Sequence, residues 1–245
     1  MIDRIIGHRG AGVLAPENTI AALKVAHDLG LSHVEFDVRL TKDHVPIISH
    51  DDSLMRCAHI DQLISQSNYA DIKDVNVAEH YALDDLYATI PTLEDYLAEA
   101  KVLGLHCQVE LKPNAGDEAL LVKIAGAVLD DFYKDTPDDS LPLVTSFIPQ
   151  CLKMLKDTAK RPYKTGVLVK VEETMNWKEL ATRSSCDFVH VHALYLKKNL
   201  AQDIMDFGCV INGFHLNHPE TAQKAIALGC QKFTCDIPDV FLRDA

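Results

Sequence analysis

Short β-branched runs alternate with helix-patterned stretches along this 245-residue chain, and that alternation limits the fold more than any single motif. Strands are predicted at residues 4–7, 33–38, 106–111, 143–146, 165–169, 187–191, 209–212 and 232–235. Helices are predicted at residues 20–29, 93–103, 117–132, 149–158, 176–182, 198–206 and 219–228. Gly30, Gly104 and Gly229 stand where three of them would stop. The run at 45–48 follows the turn-like Thr41-Lys42-Asp43-His44 and reads as a hairpin returning from the second strand. Eight βα-type alternations predict an α/β fold, a closed (β/α)8 TIM barrel. The runner-up is an open doubly wound sheet, but nothing in the first βα turn matches GxGxxG.

Residues 51–90 break the rhythm, and a polar stretch this long reads as an insertion rather than a bare loop. Residues 41–90 are therefore expected to be a hairpin and a small insertion after strand two, within one domain spanning 1–245. At 47% apolar, the chain can fill a large core. Its seven cysteines form no CxxC pair, which suits buried, reduced thiols. A net charge of -12 argues against a nucleic-acid-binding surface. With no signal-peptide pattern and no apolar run of membrane-span length, the expectation is a cytoplasmic protein without a stable membrane anchor. Homo-oligomerisation is left open.

The chemistry gathers on three stretches. Residues 7–18, GHRGAGVLAPEN, follow an apolar strand and open a helix that Thr19 or Asn18 would cap. His8 and Arg9 are adjacent, so they reach one ligand only if the strand ends there. In the second strand, Glu35 and Asp37 share one face while Val34, Phe36 and Val38 take the other. In a barrel the first of these faces is the lumen, where two carboxylates need compensation. The third strand adds Gln108, Glu110 and Lys112 on one face. Three carboxylates make an oxygen-rich site suited to Mg²⁺ or Ca²⁺. Arg9 and Lys112 are the natural phosphate holders. His8 and His50 place two imidazoles at the mouth, suited to proton transfer near neutral pH.

Taken in order, these segments resemble the glycerophosphodiester phosphodiesterase family. The motifs are His8-Arg9-Gly10 with Pro16-Glu17-Asn18-Thr19, Glu35-x-Asp37 before Thr41-Lys42-Asp43, Pro46 to His50-Asp51, Pro91-Thr92-Leu93-Glu94, and Val109-Glu110-Leu111-Lys112-Pro113. They span residues 7–113, and Thr145-Ser146-Phe147 matches a later family segment. The resemblance implies metal-dependent hydrolysis of a small-molecule glycerophosphodiester to glycerol 3-phosphate and an alcohol. By motif position it makes Glu35, Asp37 and Glu110 ligands of a divalent metal, Mg²⁺ or Ca²⁺. It makes His8 and His50 the acid/base pair and Arg9 and Lys112 the phosphate holders. Glu17 is expected to brace Arg9 or a ligand, and Asn18 to cap the first helix. Alternative readings are a phosphodiesterase acting on a lysophospholipid or other phosphodiester, and a silent barrel binding a phosphorylated ligand.

The C-terminal third departs from the family pattern. Gly213-Phe214-His215-Leu216-Asn217 stands where the family usually has Val-Trp-Thr-Val-Asn, so Phe214 takes the Trp position as an apolar wall beside the glycerol. Asp236 and Pro238 match the family's last motif, whereas Gln231 replaces its earlier Asp. His190-Val191-His192 reads as a partly buried pair at a strand end, one member of which would line the pocket. Lys170 reads as a solvated rim residue.

Overall fold

The computed structural model describes residues 1–81 and 86–242. Residues 82–85 of the expected insertion and the last three residues of the expected domain lie outside the described residues. The strands are β1 (Ile5–Gly7), β2 (His33–Leu40), β3 (Pro46–Ile48), β4 (His106–Leu111), β5 (Leu143–Ser146), β6 (Thr165–Val169), β7 (Phe188–His192), β8 (Val210–Phe214) and β9 (Cys230–Cys235). Every pairing except that of β2 with β3 is parallel, and the sheet closes because β1 pairs with both β2 and β9. The result is the eight-stranded TIM barrel. β3 runs antiparallel to β2, with Val38 opposite Ile48. That pairing carries β2 on to Leu40, past the predicted end at 38. β8 likewise runs to Phe214, held by its β7 neighbours His190, Val191 and His192, which oppose Asn212, Gly213 and Phe214.

The helices are α1 (Ile20–Asp28), α2 (Met55–Ala58), α3 (Tyr69–Ile72), α4 (Leu93–Val102), α5 (Glu118–Phe132), α6 (Pro149–Thr158), α7 (Trp177–Ser184), α8 (Lys198–Asp206) and α9 (Pro219–Ala227). Thr19 caps α1, its Oγ1 accepting from Ala22 N at 3.3 Å, and Thr92 caps α4, accepting from Asp95 N at 3.1 Å. Side-chain alternation divides β2 as predicted: Val34, Phe36 and Val38 are fully buried, and the Phe36 ring lies 4.6 Å from that of Tyr96 on α4. The segment between β3 and α4 is not a bare loop. It holds α2 and α3, and its residues Leu54, Ala58, Ile64, Ile72, Val77 and Ile90 form an apolar cluster with Ile47 of β3.

Two glycines set the approach of the β1–α1 loop to the barrel rim. Gly12 has φ +63°, and a Cβ there would lie 2.0 Å from the backbone oxygen of Asp236. Gly10 has φ +101°, and a Cβ would lie 2.6 Å from that of Ala22. Only a residue without a side chain allows both approaches.

Candidate active site

The carboxylates share one end of the barrel because the register of β2 against β4 puts Glu35 opposite Gln108 and Asp37 opposite Glu110. One ligand oxygen from each of Glu35, Asp37 and Glu110 lies within 4.8 Å of the others, and all three residues are buried. Their environments differ. Burial, then the charges of Asp37 and Glu110, push Glu35 well above the usual carboxylate range. Glu110 is raised by burial and by Asp37. Burial also works against Asp37, but the charges of Lys112, His50 and Arg9 and a hydrogen bond from Asn18 hold it low. Glu35 Oε1 is buried without a partner. Two buried carboxylates whose proton affinity is raised, beside a third that is held low and with one acceptor orphaned, fit a hard divalent cation.

The cations surround this set. Lys112 Nζ is 3.5 Å from Asp37 Oδ1 and 3.8 Å from Glu110 Oε1. β1 ends at Gly7, and Arg9 turns with φ +52°, which lets His8 and Arg9 face one site. The Arg9 backbone N–H donates to Glu35 Oε2 at 3.0 Å, and its Nη1 donates to Glu17 Oε1 at 2.8 Å. Glu17 thus braces Arg9.

Asn18 does not cap α1. Its Nδ2 donates to Asp37 Oδ2 at 2.9 Å, and its Oδ1 accepts from Asp37 N at 3.3 Å. The reason is its left-handed backbone, φ +58°, which turns the side chain inward and leaves Thr19 to cap.

Each imidazole is held by a carboxylate at Nδ1. His8 Nδ1 lies 2.6 Å from Asp236 Oδ1, and His50 Nδ1 lies 2.7 Å from Asp51 Oδ1. That leaves Nε2 as the other nitrogen of each ring, and His8 Nε2 is 3.9 Å from Glu35 Oε2. Burial lowers the pKa of His50, with Asp37 and Asp51 opposing. Burial works against the Asp236 carboxylate, but hydrogen bonds from His8 and Asn217, together with the charges of the nearby imidazoles, hold it below the usual carboxylate range.

A cavity of about 140 Å³ joins these residues to the far wall of the barrel, lined by His8, Arg9, Glu35, His50, Gln108 and Glu110 and beyond them by Phe147, His190, Phe214 and His215. Phe214 meets Phe147 edge-on at 6.1 Å and His192 at 5.9 Å. Of the HxH pair, His190 is the cavity residue, 1% exposed, with Nε2 unpartnered and its pKa pushed down to about 3 by burial. Lys170 is exposed at the end of β6. Sequence reasoning did not assign roles to Asp236, Asp51, Arg56 or His215. Asp236 was visible as a family match; Asp51 follows His50 directly; nothing local marked His215, whose ring lies 4.0 Å from that of His8. His8, His215 and Asp236 also offer ligand atoms within 4.8 Å of one another. His8 Nδ1 and Asp236 are already bonded to each other, so the three carboxylates are the better fit for a hard cation.

The chain is 27% identical to Bacillus subtilis YhdW over 243 residues, covering 98% of this chain and 97% of that protein. It is 28% identical to rat glycerophosphodiester phosphodiesterase 1 over 164 residues, 65% of this chain and 47% of that protein. Among solved structures, an Oleispira antarctica phosphodiesterase in complex with the product sn-glycerol-3-phosphate matches with a TM-score of 0.86 and 29% identity, covering 98% of this chain and 95% of that one. The family model for glycerophosphoryl diester phosphodiesterases matches residues 8–240, so the chain belongs to that family and is a phosphoric diester hydrolase.

Proposed function

We propose that the protein hydrolyses a glycerophosphodiester to sn-glycerol 3-phosphate and an alcohol, with a divalent cation on Glu35, Asp37 and Glu110 and with His8 and His50 as the acid/base pair. The observation that carries this reading is the convergence of three buried carboxylates, two cations and two carboxylate-held imidazoles on one end of the barrel. The bound product of the Oleispira antarctica relative supports the substrate class.

A cation bound there, Mg²⁺ or Ca²⁺, would act as a Lewis acid on a phosphoryl oxygen. Arg9 and Lys112 hold the other phosphoryl oxygens and offset the charge that grows on them in the transition state. Asp236 and Asp51 keep the Nδ1 protons of His8 and His50 in place, so each ring works through Nε2. One ring takes the proton of the attacking hydroxyl: either a water, which gives glycerol 3-phosphate directly, or a neighbouring substrate hydroxyl, which gives a cyclic phosphodiester that a water then opens with the roles of the two rings reversed. The P–O bond to the alcohol breaks as the new one forms, and the other ring gives its proton to the departing alkoxide. Glu17 keeps Arg9 aimed at the phosphate. Phe214 and Phe147 form an apolar wall beside the glycerol.

The test is release of glycerol 3-phosphate from glycerophosphocholine and glycerophosphoethanolamine after EDTA treatment, with Mg²⁺ or Ca²⁺ restored. Metal-dependent release, lost in Glu35→Ala, is the expected result. A well-folded protein that releases none with either metal would refute the substrate assignment.

A further inference from the structure

Arg56 lies in α2, outside the stretches whose residues suggested the site. All three of its guanidinium nitrogens bond to carboxylates. Nη1 donates to Glu17 Oε2 at 2.8 Å, Nη2 to Glu17 Oε1 at 2.6 Å, and Nε to Asp51 Oδ2 at 2.6 Å. Each carboxylate has a second partner. Glu17 Oε1 also accepts from Arg9 Nη1 at 2.8 Å, and Asp51 Oδ1 lies 2.7 Å from His50 Nδ1. The bonds form one line: Arg9, Glu17, Arg56, Asp51, His50. Glu17 follows β1 and Asp51 follows β3, so this line joins two separate loops of the mouth.

Arg56 is 43% exposed at its side chain, so its ion pairs are screened and add little to stability. Their effect is geometric. A planar guanidinium fixes two carboxylates in one mutual arrangement, which a lysine cannot do. Arg56 shares Glu17 Oε1 with Arg9, so the pull of Glu17 is divided and Arg9 keeps charge to offer a phosphoryl oxygen. It takes one oxygen of Asp51 and leaves the other for His50. A reacting group displaced by about 1 Å can lose about 10²-fold in rate, far more than the pairs contribute to folding.

We propose that Arg56 is a positioning residue for the diester site, setting the separation of Arg9 and His50 through Glu17 and Asp51. The proposal rests on the reading that Arg9 and His50 serve the diester. Arg56 also lines a cavity of about 530 Å³ with His8, Arg9, Glu17, Tyr81 and Asp236, so the space left by truncation is open to small solutes.

The experiment compares wild-type protein with Arg56→Ala, Arg56→Gln and Arg56→Lys. It measures metal-restored turnover of glycerophosphocholine, calorimetric binding of inorganic phosphate, and the thermal midpoint. Arg56→Ala is expected to lose about 10²-fold in kcat/KM at a near wild-type midpoint. Phosphate binding should weaken about tenfold, and Arg56→Lys should recover only part of either loss. Millimolar guanidinium should restore turnover in Arg56→Ala but not raise it in wild type, a response that a purely structural role does not give. Arg56→Gln keeps the stem and substitutes for the alanine variant if that one fails to fold. Turnover and phosphate affinity within twofold of wild type would overturn the proposal, as would a loss that follows the midpoint without guanidinium rescue. If wild type hydrolyses no diester, the functional reading fails by itself; equal phosphate affinity in wild type and Arg56→Ala, or no phosphate binding by either, then overturns the positioning role.

Discussion

Asp236 Oδ1 lies 2.6 Å from His8 Nδ1 although 228 positions separate the two residues. Barrel closure makes them neighbours. β1 pairs with β9, the His8 backbone N–H donates to Cys235 O at 3.1 Å, and Asn217 Nδ2 fixes the second Asp236 oxygen at 2.9 Å. His8 is therefore presented in one orientation by three separate segments of chain.

Asp236→Asn keeps the shape of this contact but removes the charge that holds the ring. The expected outcome is a fall in kcat of roughly 10²- to 10⁴-fold at a similar thermal midpoint. Steady-state kinetics with a melting control checks it, and near wild-type turnover would remove His8 from the chemistry.

A cation that binds only the folded chain should stabilise it as the logarithm of its concentration above Kd, by about 2.7 kcal/mol at one hundred times its Kd, and raise the midpoint accordingly. Titrating Mg²⁺ and Ca²⁺ into EDTA-treated protein measures this. The shift should vanish in a Glu35→Gln, Glu110→Gln double variant; an unchanged shift there would place the cation elsewhere.

Asn18 and Thr19 are adjacent but do different work. Thr19→Ala removes the cap of α1 and should cost about 1 kcal/mol of stability with turnover nearly unchanged. Asn18→Ala strips two hydrogen bonds from the buried Asp37 and should cost about 1–3 kcal/mol. It should weaken metal binding as well. Urea denaturation alongside metal titration separates the two outcomes.

His190 is buried in its neutral form, with a folded-state pKa of about 3 against an ordinary 6.5. Between those values the unfolded chain carries a proton that the folded one does not. Stability should therefore be lost as the pH falls below about 6.5, by up to about 1.4 kcal/mol per pH unit from this residue. His33 and His215, lowered to about 4, add to the same slope. His190→Gln should flatten the curve of stability against pH by one proton's share. An identical slope in the variant would mean that His190 is protonated in the fold.

Gly12→Ala would drive a Cβ to 2.0 Å from the Asp236 carbonyl, at a positive φ. The rim must move or the loop must unfold. The expected cost is about 3 kcal/mol or more, read as a large drop in the melting midpoint.

The amino-acid sequence by itself determined the alternation of strand and helix, the face shared by Glu35 and Asp37, and the placement of Glu110 on the next parallel strand with Lys112 just past its end. These follow from periods of two and of 3.6 residues, which are local properties of the backbone. It also marked the end of the first strand at Gly7, because His8 and Arg9 serve one site only if extended pairing stops there. Tertiary structure decided what local periodicity does not encode. Asn18 bonds Asp37 rather than capping α1, since the turn that brings the β1–α1 loop over the barrel points its side chain inward. His8 meets Asp236, and the rings of His215 and Phe214 reach the cavity, because the sheet closes on itself. Arg56 reaches Glu17 and Asp51 because the segment after β3 folds back over the mouth around an apolar cluster. Apart from the local Arg56–Asp51 pair, these contacts join residues far apart along the chain, and only the packing of one element on another fixes their separation.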